Sequence, residues 1–248
     1  MTQAVAVILG AGVGERLGAA TPKAFTPLAG TTMLGLATRA AERCPYVDGI
    51  VVVVPSGWER RAESLLPSPL HHVIVPGGSS RQESVRIALG SVPSGVAVVA
   101  CHDAARPFAS PTLFSTVLAA LVEADGAVPV IPVPDTVKYV QDGRVMGTES
   151  REGLGLAQTP QAFALDALRE AHAKAIADGI EATDDAALLE RIGRVVRAVP
   201  GDPRNFKITT REDLIRAEAI LTADQVSPRG HGRSSGSDGE GGTHRGSG

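Results

Sequence analysis

Short apolar segments alternate with longer amphipathic ones along most of this 248-residue chain. Segments rich in β-branched side chains occur at residues 5–9, 50–54, 73–75, 96–101, 127–131 and 195–199. Segments with helical periodicity occur at residues 33–43, 58–66, 82–89, 112–123, 165–177, 184–191 and 212–221. Continuous apolar strands are usually buried on both faces, and their alternation with helices is typical of parallel sheets. The order therefore predicts an α/β fold with a mostly parallel sheet flanked by helices.

Two segments depart from this alternation. Residues 136–148 have the pattern of two short strands, 137–140 and 144–146, around a Gln-Asp-Gly turn. Because two isolated strands are marginally stable in water, we expect this β-arm (about residues 134–152) to project and pack against another subunit. The alternative is a hairpin that lies on its own domain. Residues 227–248 contain eight glycines, five serines and no aliphatic side chain, so we expect a disordered tail after one domain of residues 1–226.

Composition excludes several classes of protein. With 24 basic and 27 acidic residues the net charge is −3, which argues against nucleic acid or an anionic membrane surface as a partner. No apolar run approaches the roughly 20 residues that cross a bilayer, and the first one, residues 4–9, is too short for a signal peptide. Two cysteines cannot form a disulfide framework or a four-ligand zinc site. We expect a cytoplasmic globular protein.

A glycine-rich loop follows the first predicted strand, where residues 9–18 read Leu-Gly-Ala-Gly-Val-Gly-Glu-Arg-Leu-Gly. Glycines let the backbone approach an anion closely, and open α/β sheets bind ligands at this end of a strand. Glu15 stands where a dinucleotide-binding loop needs glycine, and the Gly-Lys-Ser/Thr of a Walker loop is absent. Arg16 and Lys23 supply a planar fork and a point charge, which together suit a polyphosphate. Solvated charges on an ordinary turn are the alternative.

A second polar stretch, Cys-His-Asp-Ala-Ala-Arg-Pro at residues 101–107, ends the fourth predicted strand. Neighbouring side chains on a strand point to opposite faces, so the first three residues cannot act together as a thiol protease would require. Asp103 lies where the strand ends, and a lone carboxylate beside a polyphosphate suits Mg²⁺. Arg106 would face a second anionic substrate. A loop-capping aspartate is the alternative for Asp103.

Further motifs complete a set whose order is informative. They are Pro-Lys-Ala-Phe at 22–25, Gly-Gly-Ser-Ser-Arg-Gln-Glu-Ser-Val at 77–85, Pro-Asp-Thr-Val-Lys at 134–138, Gln-Thr-Pro-Gln at 158–161, Thr-Asp-Asp-Ala at 183–186 and Asn-Phe-Lys-Ile-Thr at 205–209. Together with the glycine loop and His-Asp-Ala-Ala-Arg-Pro, the set resembles the 2-C-methyl-D-erythritol 4-phosphate cytidylyltransferases of the non-mevalonate isoprenoid pathway. The resemblance spans nearly all of residues 4–222.

The resemblance implies a Rossmann-like nucleotidyltransferase fold and a homodimer joined through the β-arm. It implies transfer of CMP from CTP to 2-C-methyl-D-erythritol 4-phosphate, giving 4-diphosphocytidyl-2-C-methyl-D-erythritol and pyrophosphate, with Mg²⁺ as cofactor. Alternatives are a cytidylyltransferase for another polyol phosphate such as ribitol 5-phosphate, a nicotinamide-dependent oxidoreductase, and a nucleotide-binding regulator without catalysis. Glu15 argues against the oxidoreductase.

The resemblance also implies roles for individual residues. The residues that would bind the nucleotide are Gly10, Ala11, Gly12, Gly14, Arg16, Lys23, Gly78, Ser79, Ser84 and Asp103. Asp103 would also hold the metal. Methylerythritol phosphate binding falls to Arg106, Thr136, Arg151, Thr159, Thr183 and Lys207, with Thr136 and Arg151 reaching the neighbouring subunit's site. The catalytic residues would be Arg16, Lys23 and Lys207. One departure concerns Ser79, which stands where many relatives are expected to carry an acidic residue.

Overall fold

The computed structural model of the chain describes residues 4–12, 21–66 and 71–226. Its strands are β1 (Ala4–Leu9), β2 (Pro27–Leu28), β3 (Thr31–Thr32), β4 (Val47–Val54), β5 (His71–Pro76), β6 (Val98–Asp103), β7 (Gly126–Pro132), β8 (Val137–Gln141), β9 (Arg144–Glu149), β10 (Gly155–Ala157), β11 (Gln161–Ala164) and β12 (Val196–Pro200). Its helices are α1 (Met33–Glu42), α2 (Glu59–Leu65), α3 (Arg81–Gly90), α4 (Pro111–Ala119), α5 (Leu165–Ala177), α6 (Asp185–Arg191) and α7 (Arg211–Val226).

Within the described residues, the main sheet has eight strands. Strands β6, β1, β4 and β5 are parallel neighbours in that order, and β12 pairs in parallel with β7. Strand β11 lies between β6 and β7 and runs antiparallel to both, and β10 continues the antiparallel pairing along the end of β7. The predicted fold, a mostly parallel sheet flanked by helices, is confirmed.

Helices cover both faces of this sheet, as the uninterrupted apolar strands require. Strand β1 shows the principle, because successive side chains point to opposite faces. Val5 and Val7 pack in one hydrophobic cluster with side chains of α3, α5 and α6. Ala6 and Ile8 pack in the other, with side chains of α1, α2 and α4. Two cores therefore hold the sheet rigid, and the loops at its edges can carry chemistry.

Strands β10 and β11 were not predicted from the sequence. Each is short, and β11 follows directly on a Thr-Pro pair that reads as a turn. Their strand conformation comes from pairing with β6 and β7, whose backbone groups would otherwise stay unsatisfied inside the sheet. Such tertiary pairing overrides a weak local signal.

The β-arm folds as the predicted hairpin, with β8 and β9 forming a sheet of their own. Asp142 and Gly143 both have positive φ angles, 48° and 74°, as a two-residue type I′ turn requires. Its apolar side chains Tyr139, Val140, Val145 and Met146 are exposed. The packing of this arm against another subunit stays a prediction.

Some expectations fall outside the described residues. Gly14, Arg16 and the tail of residues 227–248 lie there, so the structure does not bear on them. Within residues 4–12, 21–66 and 71–226, no helix has both the length and the apolar character needed to cross a bilayer.

Candidate active site

A cleft opens where several parallel strands end side by side. Leu9 at the end of β1 pairs with Asp103 at the end of β6, and the neighbouring strands β4 and β5 end level with them. The cleft has a volume of about 360 Å³. Its lining includes nine residues predicted from the sequence: Gly10, Ala11, Gly12, Lys23, Gly78, Ser79, Ser84, Asp103 and Lys207. Ligand sites in open α/β sheets lie at this edge.

Two glycine loops form adjoining walls of the cleft. Gly10 donates its N–H to the carbonyl of Val53 at 2.7 Å, and a Cβ at this position would lie 3.0 Å from that same oxygen. A Cβ at Gly77 would lie 2.3 Å from the Cβ of Ala11. The loops after β1 and β5 therefore touch, and only small residues allow that approach.

Lys23 enters the cleft from a short 3-10 turn, Lys23–Phe25. The two residues that follow Lys23 in this turn, Ala24 and Phe25, are buried in the core between the sheet and α1. The ammonium group is thus carried by a fixed backbone rather than by a free loop.

Lys207 enters the same cleft from the segment before α7. The side chain of Ile208 is fully buried, and its N–H donates to the carbonyl of Ala105 at 2.9 Å. Asn205, also fully buried, donates from Nδ2 to the carbonyl of Thr159 at 2.8 Å. These neighbours anchor the backbone on both sides of Lys207.

Asp103 is the acidic centre of the cleft. Its Oδ1 accepts from Nε of Arg81 at 3.2 Å, and its Oδ2 accepts from Nζ of Lys207 at 2.8 Å. Burial alone would raise the pKa of Asp103, but the charges of Arg81 and Lys207 outweigh burial and hold that pKa well below its usual range. Asp103 is therefore a carboxylate at every physiological pH.

Arg81 joins Asp103 to a second buried carboxylate that the sequence did not single out. Its Nη1 donates to Oδ2 of Asp185 at 2.7 Å, and Oδ1 of Asp185 lies 3.1 Å from Nε2 of His172. Burial would lower the pKa of Arg81, but the charges of Asp185 and Asp103 raise it further above its usual value. The row His172–Asp185–Arg81–Asp103 runs from the interior to the cleft and fixes the Asp103 carboxylate.

Buried hydrogen bonds of Thr159 and His102 hold the backbone at Asp103 in place. The hydroxyl of Thr159 accepts from the N–H of Asp103 at 3.0 Å and lies 3.0 Å from Nδ1 of His102, whose Nε2 lies 3.1 Å from the carbonyl of Arg106. Because a carbonyl only accepts, Nε2 carries the proton and Nδ1 accepts from Thr159. Burial lowers the pKa of His102 to about 4, so this imidazole is neutral.

Arg106 and Thr159 were predicted to bind the second substrate, and neither lines the cleft. Arg106 donates from Nη1 to the carbonyl of Asn205 at 2.9 Å and from Nη2 to that of Ala157 at 3.1 Å. Its guanidinium therefore ties β10 to the segment that carries Lys207.

Thr136, Arg151 and Thr183 also lie apart from the cleft in this single chain. Thr136 and Arg151 are exposed on the β-arm, where Nη1 of Arg151 donates to the carbonyl of Pro134 at 2.6 Å. Thr183 lines a separate surface cavity beside α6. Their roles stay predictions.

The fit of a divalent cation depends on Asp103, the acidic side chain among the described lining residues. Within the described ranges no group of three or more His, Cys, Asp or Glu side chains could hold a metal ion. Mg²⁺ often takes one or two carboxylates and completes its shell with phosphate oxygens and water, so a lone carboxylate fits a metal that arrives with a nucleotide. Lys207, whose side chain is 42% exposed, can move away from Oδ2, whereas Arg81 is held by Asp185.

The arrangement suits the binding of a polyanion and the stabilisation of charge on it. Lys23 and Lys207 line one cleft together with the ionised carboxylate of Asp103, which accepts from Lys207. Among the lining residues that the structure describes, none has the pairing of nucleophile and base that hydrolytic triads show.

Comparison with known families agrees with this geometry. The IspD family model, described as 2-C-methyl-D-erythritol 4-phosphate cytidylyltransferase, matches residues 4–223. A 2-C-methyl-D-erythritol 4-phosphate cytidylyltransferase of Rhodococcus opacus is 47% identical over 219 residues, covering 88% of this chain and 94% of the relative. The enzyme of that name from Geobacter metallireducens is 43% identical over 229 residues, covering 87% and 96%.

Solved structures give the same result. The 2-C-methyl-D-erythritol 4-phosphate cytidylyltransferase of Thermus thermophilus has a TM-score of 0.75 and 37% identity, covering 90% of this chain and 100% of its own. The 4-diphosphocytidyl-2C-methyl-D-erythritol synthase of Anaerococcus prevotii has a TM-score of 0.80 and 30% identity, covering 89% and 96%. The nicotinamide-dependent oxidoreductase and the ribitol phosphate alternatives are not favoured.

Proposed function

This chain belongs to the 2-C-methyl-D-erythritol 4-phosphate cytidylyltransferase family, and we propose that it transfers CMP from CTP to 2-C-methyl-D-erythritol 4-phosphate. A phosphate oxygen of the sugar phosphate attacks the α-phosphorus of CTP. A new phosphorus–oxygen bond forms, the bond to the β-phosphate breaks, and its electron pair leaves with pyrophosphate. The products are 4-diphosphocytidyl-2-C-methyl-D-erythritol and pyrophosphate.

One observation carries the proposal: cationic side chains from distant parts of the sequence line the same cleft as Asp103. Lys23, Arg81 and Lys207 come from three separate segments and meet at the edge where β1 and β6 end. The attacking phosphate is already a nucleophile, so the barrier lies in bringing two anions together and in the charge that develops on the leaving group. Fixed positive charges oppose both obstacles.

Each side chain that lines the cleft would have its own role in binding or positioning the substrates. Lys23 lies beside the glycine loop and would bind the CTP phosphates together with backbone N–H groups and Arg16. Lys207, on the segment before α7, would hold the attacking phosphate in line. Arg81 is occupied by Asp103 and Asp185, so its role is to hold the Asp103 carboxylate in place. Ser84 and Ser79 are available for the base.

Asp103 would hold Mg²⁺, the cofactor of the proposed reaction. When bound, the cation supplies positive charge to the phosphoryl oxygens of the nucleotide. The contribution of the chain is a carboxylate that stays ionised and oriented because Arg81 and the N–H contact to Thr159 fix it.

A second subunit would complete the site. The exposed apolar side chains of the β-arm call for a partner surface, and Thr136 and Arg151 lie on this arm. We therefore include in the proposal a homodimer in which each arm brings these two residues to the neighbouring cleft. The chain would work in the cytoplasm, in keeping with Cys44 and Cys101, which are free and buried thiols.

Pyrophosphate release tests the proposal. The purified protein should release pyrophosphate from CTP when 2-C-methyl-D-erythritol 4-phosphate and Mg²⁺ are both present, and a chelator should abolish the release. Ribitol 5-phosphate in place of the methylerythritol phosphate should support much less. CTP binding without pyrophosphate release would instead indicate a nucleotide-binding regulator.

A further inference from the structure

The loop between β5 and α3 contains a hydrogen bond that fixes the direction of one hydroxyl proton. Ser79 lines the cleft, and both its N–H and its Oγ lie 2.7 Å from Oε2 of Glu83. A carboxylate accepts hydrogen bonds and cannot donate them, whereas a serine hydroxyl has one proton and two lone pairs. The Ser79 hydroxyl must therefore donate to Glu83, and it can offer only lone pairs to any other group.

Glu83 is ionised at neutral pH, as an exposed glutamate ordinarily is, and the same contacts favour its charged form further. The hydrogen bonds from the hydroxyl and the N–H of Ser79 lower the pKa of Glu83, and the nearby guanidinium of Arg86 lowers it as well. Nη2 of Arg86 lies 3.0 Å from Oε1, the other carboxylate oxygen. Arg86 therefore does not compete with Ser79, which bonds the other oxygen, Oε2.

The backbone makes room for this contact at Gly78. A Cβ on Gly78 would lie 2.3 Å from Cγ of Glu83, so the Glu83 side chain folds across a position where another residue would block it. Ser80 and Glu83 have the spacing of a helix capping box, in which the glutamate usually bonds the N–H of the cap residue itself. Here the cap is Ser80, yet Glu83 bonds Ser79, one residue earlier and on the cleft wall.

The hydroxyl of Ser84, on the same wall of the cleft, can donate a hydrogen bond. Oγ of Ser84 accepts from the N–H of Gly78 at 3.1 Å, and no hydrogen bond among the described residues uses its own proton. The wall therefore offers an obligate acceptor at Ser79 and a donor at Ser84. Cytosine presents a 4-amino donor beside ring and carbonyl acceptors, whereas uracil presents a carbonyl acceptor at position 4.

From this geometry we infer that Glu83 is a positioning residue for nucleobase selection, which makes the Ser79 hydroxyl an acceptor and so favours CTP over UTP. The inference rests on the proposed function and deepens it. Without the carboxylate, the Ser79 hydroxyl could rotate and donate to the 4-carbonyl of uracil. Ser79 contacts the base in this scheme, and Glu83 acts through Ser79 alone.

Kinetics with two nucleotides test the inference. We expect the wild-type protein to prefer CTP, and Glu83→Ala to reduce the CTP-to-UTP ratio of kcat/KM by about threefold to tenfold, the range for one hydrogen bond between exposed groups. Glu83→Gln should reduce the ratio as well, because its amide can donate to Ser79 and release the hydroxyl proton. Arg86→Met is the matched control: it removes the other partner of Glu83 and should leave the ratio unchanged.

A double-mutant comparison separates base selection from helix capping. In a Ser79→Ala background, adding Glu83→Ala should change the ratio no further, since Glu83 acts through the missing hydroxyl. Equal losses with CTP and UTP in Glu83→Ala and Glu83→Gln would overturn the inference and leave Glu83 a helix cap. So would a wild-type protein that uses both nucleotides equally. Failure of the proposed function looks different: wild-type protein would then release no pyrophosphate from either nucleotide.

Discussion

Nη1 of Arg81 lies 2.7 Å from Oδ2 of Asp185, a carboxylate whose side chain is only 1% exposed. The two residues are 104 positions apart in the sequence. Asp185 opens α6 and Arg81 opens α3, so the pair joins two helices on one face of the sheet. Because Arg81 also contacts Asp103, the stability of the interior and the geometry of the cleft depend on the same guanidinium.

Removal of the Asp185 carboxylate should destabilise the protein strongly. Asp185→Ala leaves Arg81 and His172 without their shared partner, and breaking a buried ion pair in this way typically costs about 3–5 kcal/mol. Urea unfolding should show the loss. Asp178→Ala is the control, since its contact with Lys174 is exposed and should contribute less than about 1 kcal/mol. Similar losses in the two variants would contradict this ranking.

Substitutions of Lys23, Lys207 and Lys174 should have different effects on the kinetic constants. Lys23→Ala should lower kcat by about 10²–10³, the usual loss for one electrostatic stabiliser, with an unchanged unfolding transition. Lys207→Ala should also raise the KM for the sugar phosphate, because in the proposed mechanism its ammonium holds that anion. Lys174→Ala, on the exposed face of α5, should match the wild type in both kinetic constants. Near wild-type turnover in Lys23→Ala would refute the assignment of the phosphate site.

Stability should fall as the pH is lowered from about 6.5 to about 4. Burial lowers the pKa of His102 to about 4 in the folded protein, against 6.5 ordinarily, so over this range the unfolded chain binds a proton that the folded protein does not. The full difference amounts to about 3 kcal/mol. Free energies of unfolding measured between pH 4.5 and 8 should show this slope, and His102→Asn should flatten it. An equal slope in both proteins would exclude His102 as its source.

The β-arm should control assembly. Val140 and Val145 are paired across the two strands and are 63% and 64% exposed. Lysine at both positions should convert the expected dimer to a monomer in light scattering and should lower activity with it. Val122→Lys is the control, because Val122 is 88% exposed in a turn that lies outside the arm. A wild-type monomer, or a double variant that remains dimeric, would contradict the proposed assembly.

Hydrophobic periodicity in the sequence was enough to predict most strands of the main sheet and the helices between them. The apolar runs of β1, β4, β6 and β7 and the helices between them follow from periodicity, and the Asp-Gly turn of the arm follows from the demand for positive φ. Strands β10 and β11 did not follow, because their conformation depends on neighbours in the sheet. The predicted start of β6 also differs by two residues, since the observed strand is Val98–Asp103.

The cleft was predictable where its residues sit at strand ends. Asp103 and the glycine loops fall there, and the structure brings them together with Lys23 and Lys207. The anchoring of Asp103 was not predictable, because Arg81 and Asp185, the first residues of α3 and α6, meet only in the folded chain and no local motif joins them. Two N–H groups of the Arg106 guanidinium donate to backbone carbonyls, which the sequence did not predict, and the binding of the second substrate by Arg106 stays a prediction.

The close approach of Ala11 and Gly77 makes the sequences of two loops, those after β1 and β5, depend on each other. With 2.3 Å between the Ala11 Cβ and the Cβ that Gly77 lacks, position 77 can accept a side chain only if residue 11 becomes glycine or a strand shifts. Homologous enzymes should therefore change these two positions together, and grafting one loop from a distant relative without its counterpart should fail.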